Sequence, residues 1–334
     1  MTRPRIFITQ PIAESALKRL QAVADVTMNK DSRRVLDRGK LVAGVAKHDI
    51  LFSLLHDTVD RDVLKANPNL KAVASMAITP DRIDVAAATE RGIPVTVIPP
   101  IVGEATADIC LGLMIAVARR MIEGDHMVRA GEFPGAQSNY LAGAYLWGKT
   151  VGLIGGKGRI GRAVARRLQG FSVRVLYCGP RRMPEADERT LAMTFVPFDE
   201  LLAESDFVSL HPPLNAETRH MIGEREFGQM KPTAFIINTA RGAIIDEAAL
   251  ARALKGRTIA GAGLDVFENE PRVSRSLVRL ANLVATPHLG SAVRELRETM
   301  ANIVVDNILA IVGGERPPNC INPETLAPRV AVTT

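Results

Sequence analysis

A single hexamer constrains this chain more than any other feature. Gly156-Lys157-Gly158-Arg159-Ile160-Gly161 lies between an apolar run, Val151–Gly155, and an alanine-bearing helical run, Ala163–Leu168. Glycine-rich hexamers arise by chance, and alone one would mark only a tight turn. The strand–turn–helix order is the demanding context. Glycines let the backbone close on a pyrophosphate, and the helix N-terminus supplies N–H groups and positive potential. The segment predicts dinucleotide binding on a parallel α/β sheet, with Gly156, Lys157, Gly158, Arg159, Ile160 and Gly161 around the ligand. About 20 residues further on, an Asp or Glu would take the ribose 2′-hydroxyl of NAD. Here the chain reads Cys178-Gly179-Pro180-Arg181-Arg182. A carboxylate would repel a 2′-phosphate, whereas guanidinium groups bind one through charge-assisted hydrogen bonds. Arg181 and Arg182 therefore predict a preference for NADP(H), with NAD(H) also able to bind.

The rest of the chain extends the alternation. At 334 residues it exceeds one comfortable core and predicts two domains. In the first hundred residues, Arg5–Thr9, His48–Leu55 and Leu70–Met76 read as strands. Pro11–Val23, Asp60–Ala66 and Asp84–Arg91 read as helices. Pro99-Pro100 marks a hinge. One long helix is expected from Gly103 to Arg129, then a loop over Phe133–Tyr145. A second series follows, with strands at Val151–Gly155, Val173–Tyr177, Asp206–Leu210, Ala234–Asn238, Ala260–Asp265 and Leu283–Thr286. A last helix is expected over about Ala292–Val312. Such βα alternation argues for parallel sheets with helices on their faces.

Composition excludes several classes. Lys+Arg 42 against Asp+Glu 36 leaves a scattered +6, and aromatics are only 4%. That suits a small anionic ligand, not a nucleic-acid groove with clustered basic and stacking residues. Cys110, Cys178 and Cys320 form no CxxC pair, so neither a disulfide framework nor a cysteine-rich metal site is expected. MTRPRIFITQ lacks a long apolar stretch, and Ile109–Ala118 is too short to span a bilayer. The expectation is a cytoplasmic protein with no membrane partner.

Open α/β sheets bind ligands beyond the carboxyl ends of their strands. Three expected strands end into Thr239-Ala240-Arg241-Gly242, Val266-Phe267-Glu268-Asn269-Glu270 and Pro287-His288-Leu289-Gly290. An arginine, an acid and a histidine are thus expected on one edge. Reduction of a 2-keto acid by hydride needs these parts. Arg241 would grip the substrate carboxylate and polarise the adjacent carbonyl. His288 would donate a proton to the nascent alkoxide. Glu270 would bind the other imidazole nitrogen, orienting the ring and favouring its protonated form. Isolated, each would more often be a surface or turn residue; their shared placement carries the reading.

With these motifs in view, the chain resembles the D-isomer-specific 2-hydroxyacid dehydrogenases. The matching segments are Gly156–Gly161, His211-Pro212-Pro213-Leu214-Asn215, Asn238–Gly242, Gly263–Glu268 with Glu270-Pro271, and Thr286–Ser291. Within the family the similarity is greatest to NADP-dependent glyoxylate/hydroxypyruvate reductases, supported by Ile83–Val95 and the arginine pair. The resemblance implies Arg241, Glu270 and His288 as the catalytic trio. It implies cofactor contacts from Thr106, His211, Pro212, Thr218, Thr239 and Ala240, with Asp265 receiving the nicotinamide carboxamide. It also implies a flavodoxin-like substrate domain, 1–101 plus 291–334, with a Rossmann-type cofactor domain, 102–290, inserted between. Relatives are homodimers built largely on the cofactor domain, and the apolar helix around Ile109–Ala118 is the expected contributor. Without the resemblance, an intramolecular core helix is an equal reading of that segment.

The substrate walls would be Ser53-Leu54-Leu55 and Ile78-Thr79, offering backbone donors. Relatives usually read Val-Gly-Tyr-Asp where this chain has Ile78-Thr79-Pro80-Asp81, and Pro80 removes a donor. The expected activity is NADPH-dependent reduction of glyoxylate, hydroxypyruvate or a close 2-keto acid to the D-2-hydroxy acid. Two alternatives stand beside it: a reductase of bulkier substrates such as arylpyruvates, and a nucleotide-sensing corepressor-type protein.

Overall fold

The computed structural model describes residues 3–326. The chain divides into two compact units, Met1–Ile101 with Val293–Thr334, and Val102–Ala292.

The first unit is built on five parallel strands: β1 (Arg5–Ile8), β2 (Asp25–Met28), β3 (Ile50–Ser53), β4 (Ala72–Ser75) and β5 (Val95–Thr96), in the order β2-β1-β3-β4-β5. This is the flavodoxin-like order. The central strands β3 and β4 are buried along their whole length. A parallel sheet covered on both faces requires such continuous apolar runs. The helix Arg294–Val312 belongs to this unit and lies on the helix Glu14–Val23. Arg19 joins them, bonding Asn302 at 2.8 Å and Asp306 at 2.6 Å.

The second unit carries seven parallel strands: β6 (Thr150–Ile154), β7 (Arg174–Cys178), β8 (Met193–Phe195), β9 (Phe207–Leu210), β10 (Phe235–Asn238), β11 (Gly261–Leu264) and β12 (Leu283–Ala285). Their order is β12-β11-β10-β9-β6-β7-β8. Counted from β6, this is the Rossmann order 3-2-1-4-5-6 with one strand added. The order reverses between β6 and β9, so the binding crevice of such a sheet lies beyond their carboxyl ends.

Three strands, β2, β5 and β8, have no counterpart in the sequence reading. All lie at sheet edges, and none has more than four residues. The single long helix expected over Gly103–Arg129 is instead two, Gly103–Ala118 and Met121–Ala130. Arg120 between them has φ 51°. The cause is tertiary: Ala144 N–H donates to Ala118 O at 2.8 Å, taking a carbonyl that a continuous helix would use itself. The first of these helices buries Cys110, Leu113, Met114, Val117 and Ala118. It packs so closely that a Cβ at Gly263 in β11 would come within 2.9 Å of Leu113 Cβ. One face of the apolar segment Ile109–Ala118 is therefore core. Seven of the large exposed apolar side chains follow it: Met121, Ile122, Val128, Phe133, Tyr140, Tyr145 and Trp147. Among the described residues, no helix is long and apolar enough to cross a membrane.

Candidate active site

The hexamer spans the turn after β6 and the first residues of the helix Arg159–Leu168. Gly155, which lengthens this turn by one residue, has φ 78°, and a Cβ there would lie 2.8 Å from Pro212 N. A Cβ on Gly161 would fall 2.6 Å from Gly156 Cα, so helix and turn meet backbone to backbone. Side chains would fill this cradle, as expected of a pyrophosphate turn. His211 leaves the end of β9, its N–H bonded to Ile154 O at 2.8 Å. Both ring nitrogens are buried without a hydrogen-bond partner, and burial pushes the imidazole down to about 4. Buried polar atoms are rarely left so. A neutral imidazole with two orphaned nitrogens, at the strand end next to the glycine turn, fits a site for a polar ligand such as a dinucleotide.

The arginine pair follows β7, and the structure distinguishes its members. Arg181 is exposed. Arg182 forms a bidentate pair with buried Glu188, Nε to Oε1 at 2.8 Å and Nη2 to Oε2 at 2.7 Å. Tyr177 donates to the same carboxylate at 2.5 Å and accepts Met183 N–H at 2.8 Å. The Arg182 guanidinium, then the Tyr177 hydroxyl, hold the Glu188 carboxyl down to about 2. Lys157 Nζ donates to Arg182 O at 3.4 Å, which brings a third cation from the glycine turn to this edge.

Two of the residues expected to touch a cofactor make hydrogen bonds within the chain. Thr106 is buried, and its hydroxyl faces Val102 O at 3.0 Å and Gly290 O at 3.2 Å. Thr218 donates to Pro213 O at 2.6 Å within its own exposed turn.

The trio stands at adjacent strand ends. Thr239, Ala240 and Arg241 follow β10, with Thr239 and Ala240 buried. Buried Asn238 sets their turn: Oδ1 accepts Ala240 N–H at 3.0 Å and Nδ2 donates to Arg241 O at 2.9 Å. Arg241 Nη1 donates to Ala240 O at 2.8 Å. Glu270 Oε2 lies 2.9 Å from His288 Nδ1, and Glu270 Oε1 accepts Phe267 N–H at 2.8 Å. The two side chains are mostly covered, at 12% and 20% exposure, enough shelter to strengthen their pairing.

Asp265 is tied into its own surroundings by hydrogen bonds. Its Oδ1 accepts from Thr286 Oγ1 at 2.6 Å and Leu289 N at 2.7 Å, and its Oδ2 accepts Gly290 N–H at 2.8 Å. His288 N–H reaches Asp265 O at 2.9 Å. Asp265 thus fastens the loop that carries the imidazole. The sequence reading assigned no such role to Asp265, and none at all to Thr286 or Asn238. The only local signal was a polar residue directly after an apolar strand.

In the first unit, Ser53 closes β3, and its partner in register, Ser75, closes β4. Leu54 N–H is held by Asp57 Oδ2 at 2.7 Å, and burial pushes that carboxyl up. Leu55 continues this loop, while Ile78 and Thr79 leave the neighbouring strand end. Both walls are therefore built on adjacent strands.

Residues 111–290 match the family model for the D-isomer specific 2-hydroxyacid dehydrogenase NAD binding domain. The chain is 45% identical over 328 residues to a glyoxylate reductase of Thermococcus litoralis, covering 97% of this chain and 98% of that protein. The chain belongs to the D-isomer specific 2-hydroxyacid dehydrogenase family. As a member it is an NAD(P)-dependent oxidoreductase. A glyoxylate reductase of Korarchaeum cryptofilum is 44% identical, covering 98% of each chain. Among solved structures, this dehydrogenase superposes on a Thermus thermophilus protein with TM-score 0.87 at 39% identity, covering 95% of this chain and 99% of that one. It also matches an NADPH-dependent glyoxylate/hydroxypyruvate reductase from Sinorhizobium meliloti, solved with NADP and malonate. There the TM-score is 0.82 at 32% identity, covering 99% of this chain and 100% of the other.

Proposed function

We propose that the chain reduces a small 2-keto acid of the glyoxylate or hydroxypyruvate type to the D-2-hydroxy acid, with NADPH preferred over NADH. The Glu270–His288 pair beside the Arg241 turn, on a dinucleotide-type sheet, carries this reading. In it the unit Val102–Ala292 is the cofactor domain and the discontinuous unit is the substrate domain. Gly156–Gly161, His211, Thr239 and Ala240 would hold the cofactor, with Arg181, Arg182 and Lys157 toward a 2′-phosphate. Bound NADPH supplies a hydride to the keto carbon.

The chain's own residues do the rest. Arg241 presents a planar fork of donors that matches a carboxylate and draws charge from the neighbouring carbonyl. Glu270 engages Nδ1 of His288, which leaves Nε2 as the nitrogen that hands a proton to the developing alkoxide. In the reverse direction the same nitrogen is the base. The names of the relatives, glyoxylate reductases among them, support the small substrate. The Ile78-Thr79-Pro80 departure favours a second reading, a reductase of bulkier 2-keto acids such as arylpyruvates.

His288→Ala tests the chemistry. Losing a general acid is expected to lower kcat by about 10²- to 10⁴-fold. The dissociation constant for NADPH, measured by fluorescence titration, is expected to stay within about twofold. An unchanged kcat would remove His288 from the reaction.

A further inference from the structure

We propose that Glu247 is a positioning residue for the reaction: it holds the loop that carries Glu270, and through Glu270 it holds the His288 ring. The inference rests on the roles proposed above for Glu270 and His288. Glu247 opens the helix Glu247–Lys255 and is buried, at 9% exposure. Its Oε1 accepts Glu268 N–H at 2.7 Å. The preceding amide, Phe267 N–H, goes to Glu270 Oε1 at 2.8 Å. Two consecutive amides of the loop therefore end on two carboxylates, one from the loop itself and one from the helix.

The same loop is gripped elsewhere. Glu268 Oε1 meets Arg219 Nη2 and His220 Nε2, each at 2.8 Å. Its backbone rests on the turn behind Arg241. A Cβ on Gly242 would collide with Phe267 C and Glu268 N, so no side chain fits between them. Glu247 thus closes a clamp whose other jaw is the arginine turn. Displacement of the loop would carry Glu270 Oε2 away from His288 Nδ1.

Helix stability alone gives a poor account of Glu247. The helix start is already capped by Asp246, whose Oδ1 accepts Ala248 N–H at 2.9 Å and Ala249 N–H at 3.0 Å. An acid serving only the helix dipole works from the surface. Glu247 is instead buried among acids: burial pushes its carboxyl up, and Glu268 and Glu270 push the same way. A buried carboxylate is costly unless it is hydrogen-bonded, and the bond that Glu247 makes goes to the loop and not to its own helix.

The test compares Glu247→Ala, which removes the acceptor, with Glu247→Gln, which keeps Oε1. Misplacing a catalytic group by about 1 Å costs on the order of 10²-fold, and a partial loosening less. Glu247→Ala is expected to lower kcat for 2-keto acid reduction about 10-fold. KM for NADPH should hold, and hydrogen exchange should rise at Phe267–Glu270. Glu247→Gln should restore both kcat and protection. If the alanine variant folds poorly, Glu247→Leu fills the volume without an acceptor and is expected to behave as alanine should. Wild-type kcat and unchanged exchange in the acceptor-less variants would overturn the proposal. So would equal losses in Ala and Gln variants accompanied by equal drops in Tm, which would mark a charge effect at the helix start. If the wild-type enzyme turned over no 2-keto acid, the functional reading would fail, and hydrogen exchange would still judge the clamp.

Discussion

His288 has a backbone φ of 56°, a left-handed conformation that costs a bulky side chain about 1–3 kcal/mol. Asp265 offsets that strain by accepting four hydrogen bonds, three at its carboxylate and one, from His288 N–H, at its carbonyl. The imidazole is therefore aimed from two sides, by Asp265 through the backbone and by Glu270 through the ring. At this scale the sequence was legible where a candidate residue sits just past a strand end, as Arg241 and His288 do. It was not legible where the partner depends on how the next helix folds back. Arg182 and Glu188 are six residues apart, yet nothing in the sequence between them announces that a buried carboxylate takes the guanidinium, because the helix Glu185–Leu191 must first turn Glu188 inward. That pairing separates the two arginines. Arg181→Ala is expected to raise KM for NADPH at least about 10-fold, close to the lower end of the roughly 1.5–3 kcal/mol of a charge-assisted hydrogen bond. KM for NADH should be unmoved. Steady-state kinetics with both cofactors check this, and equal effects on the two would remove Arg181 from phosphate recognition.

Among the elements, buried strands announce themselves, and of the four edge strands only β12 does. β9, β10 and β11 are buried along their whole length, and each sequence run read as a strand there. β2 alternates exposed with half-buried residues, and β5 and β8 are two and three residues long, too short for any periodicity. The split of the helical run at Arg120 was equally hidden, because a loop 24 residues away supplies the competing hydrogen bond, Ala144 N–H to Ala118 O. The split shifts attention for self-association from Ile109–Ala118 to the segment after it. Exposed apolar patches on soluble proteins mark contact surfaces. We propose that Met121–Trp147 forms the homodimer contact, since large exposed apolar side chains concentrate there. Light scattering is expected to give twice the chain mass for the wild type and a lower mass for Tyr145→Ser with Trp147→Ser. A wild-type monomer would remove the homodimer, and an unchanged double variant would move its surface elsewhere.

At the scale of the whole molecule, two strand orders account for the division of the chain. Each sheet has its own reversal of order, and each collects its candidate residues at the carboxyl ends of neighbouring strands: Ser53 and the Ile78 loop on one, the glycine turn, Arg241, Glu270 and His288 on the other. The alternation of apolar and helical runs made both sheets readable, because parallel strands leave unbroken aliphatic runs. The substrate's acyl group was not readable, since main-chain donors and small apolar walls leave little trace in residue identity.

A 2-keto acid reductase that prefers NADPH should reveal itself in nicotinamide oxidation by the purified protein with glyoxylate, hydroxypyruvate and phenylpyruvate, each with NADPH and with NADH. Glyoxylate and hydroxypyruvate are expected to turn over, with kcat/KM for NADPH at least about 10-fold above that for NADH, the value of one charge-assisted contact. Tight NADPH binding with no oxidation by any 2-keto acid would overturn the reductase reading.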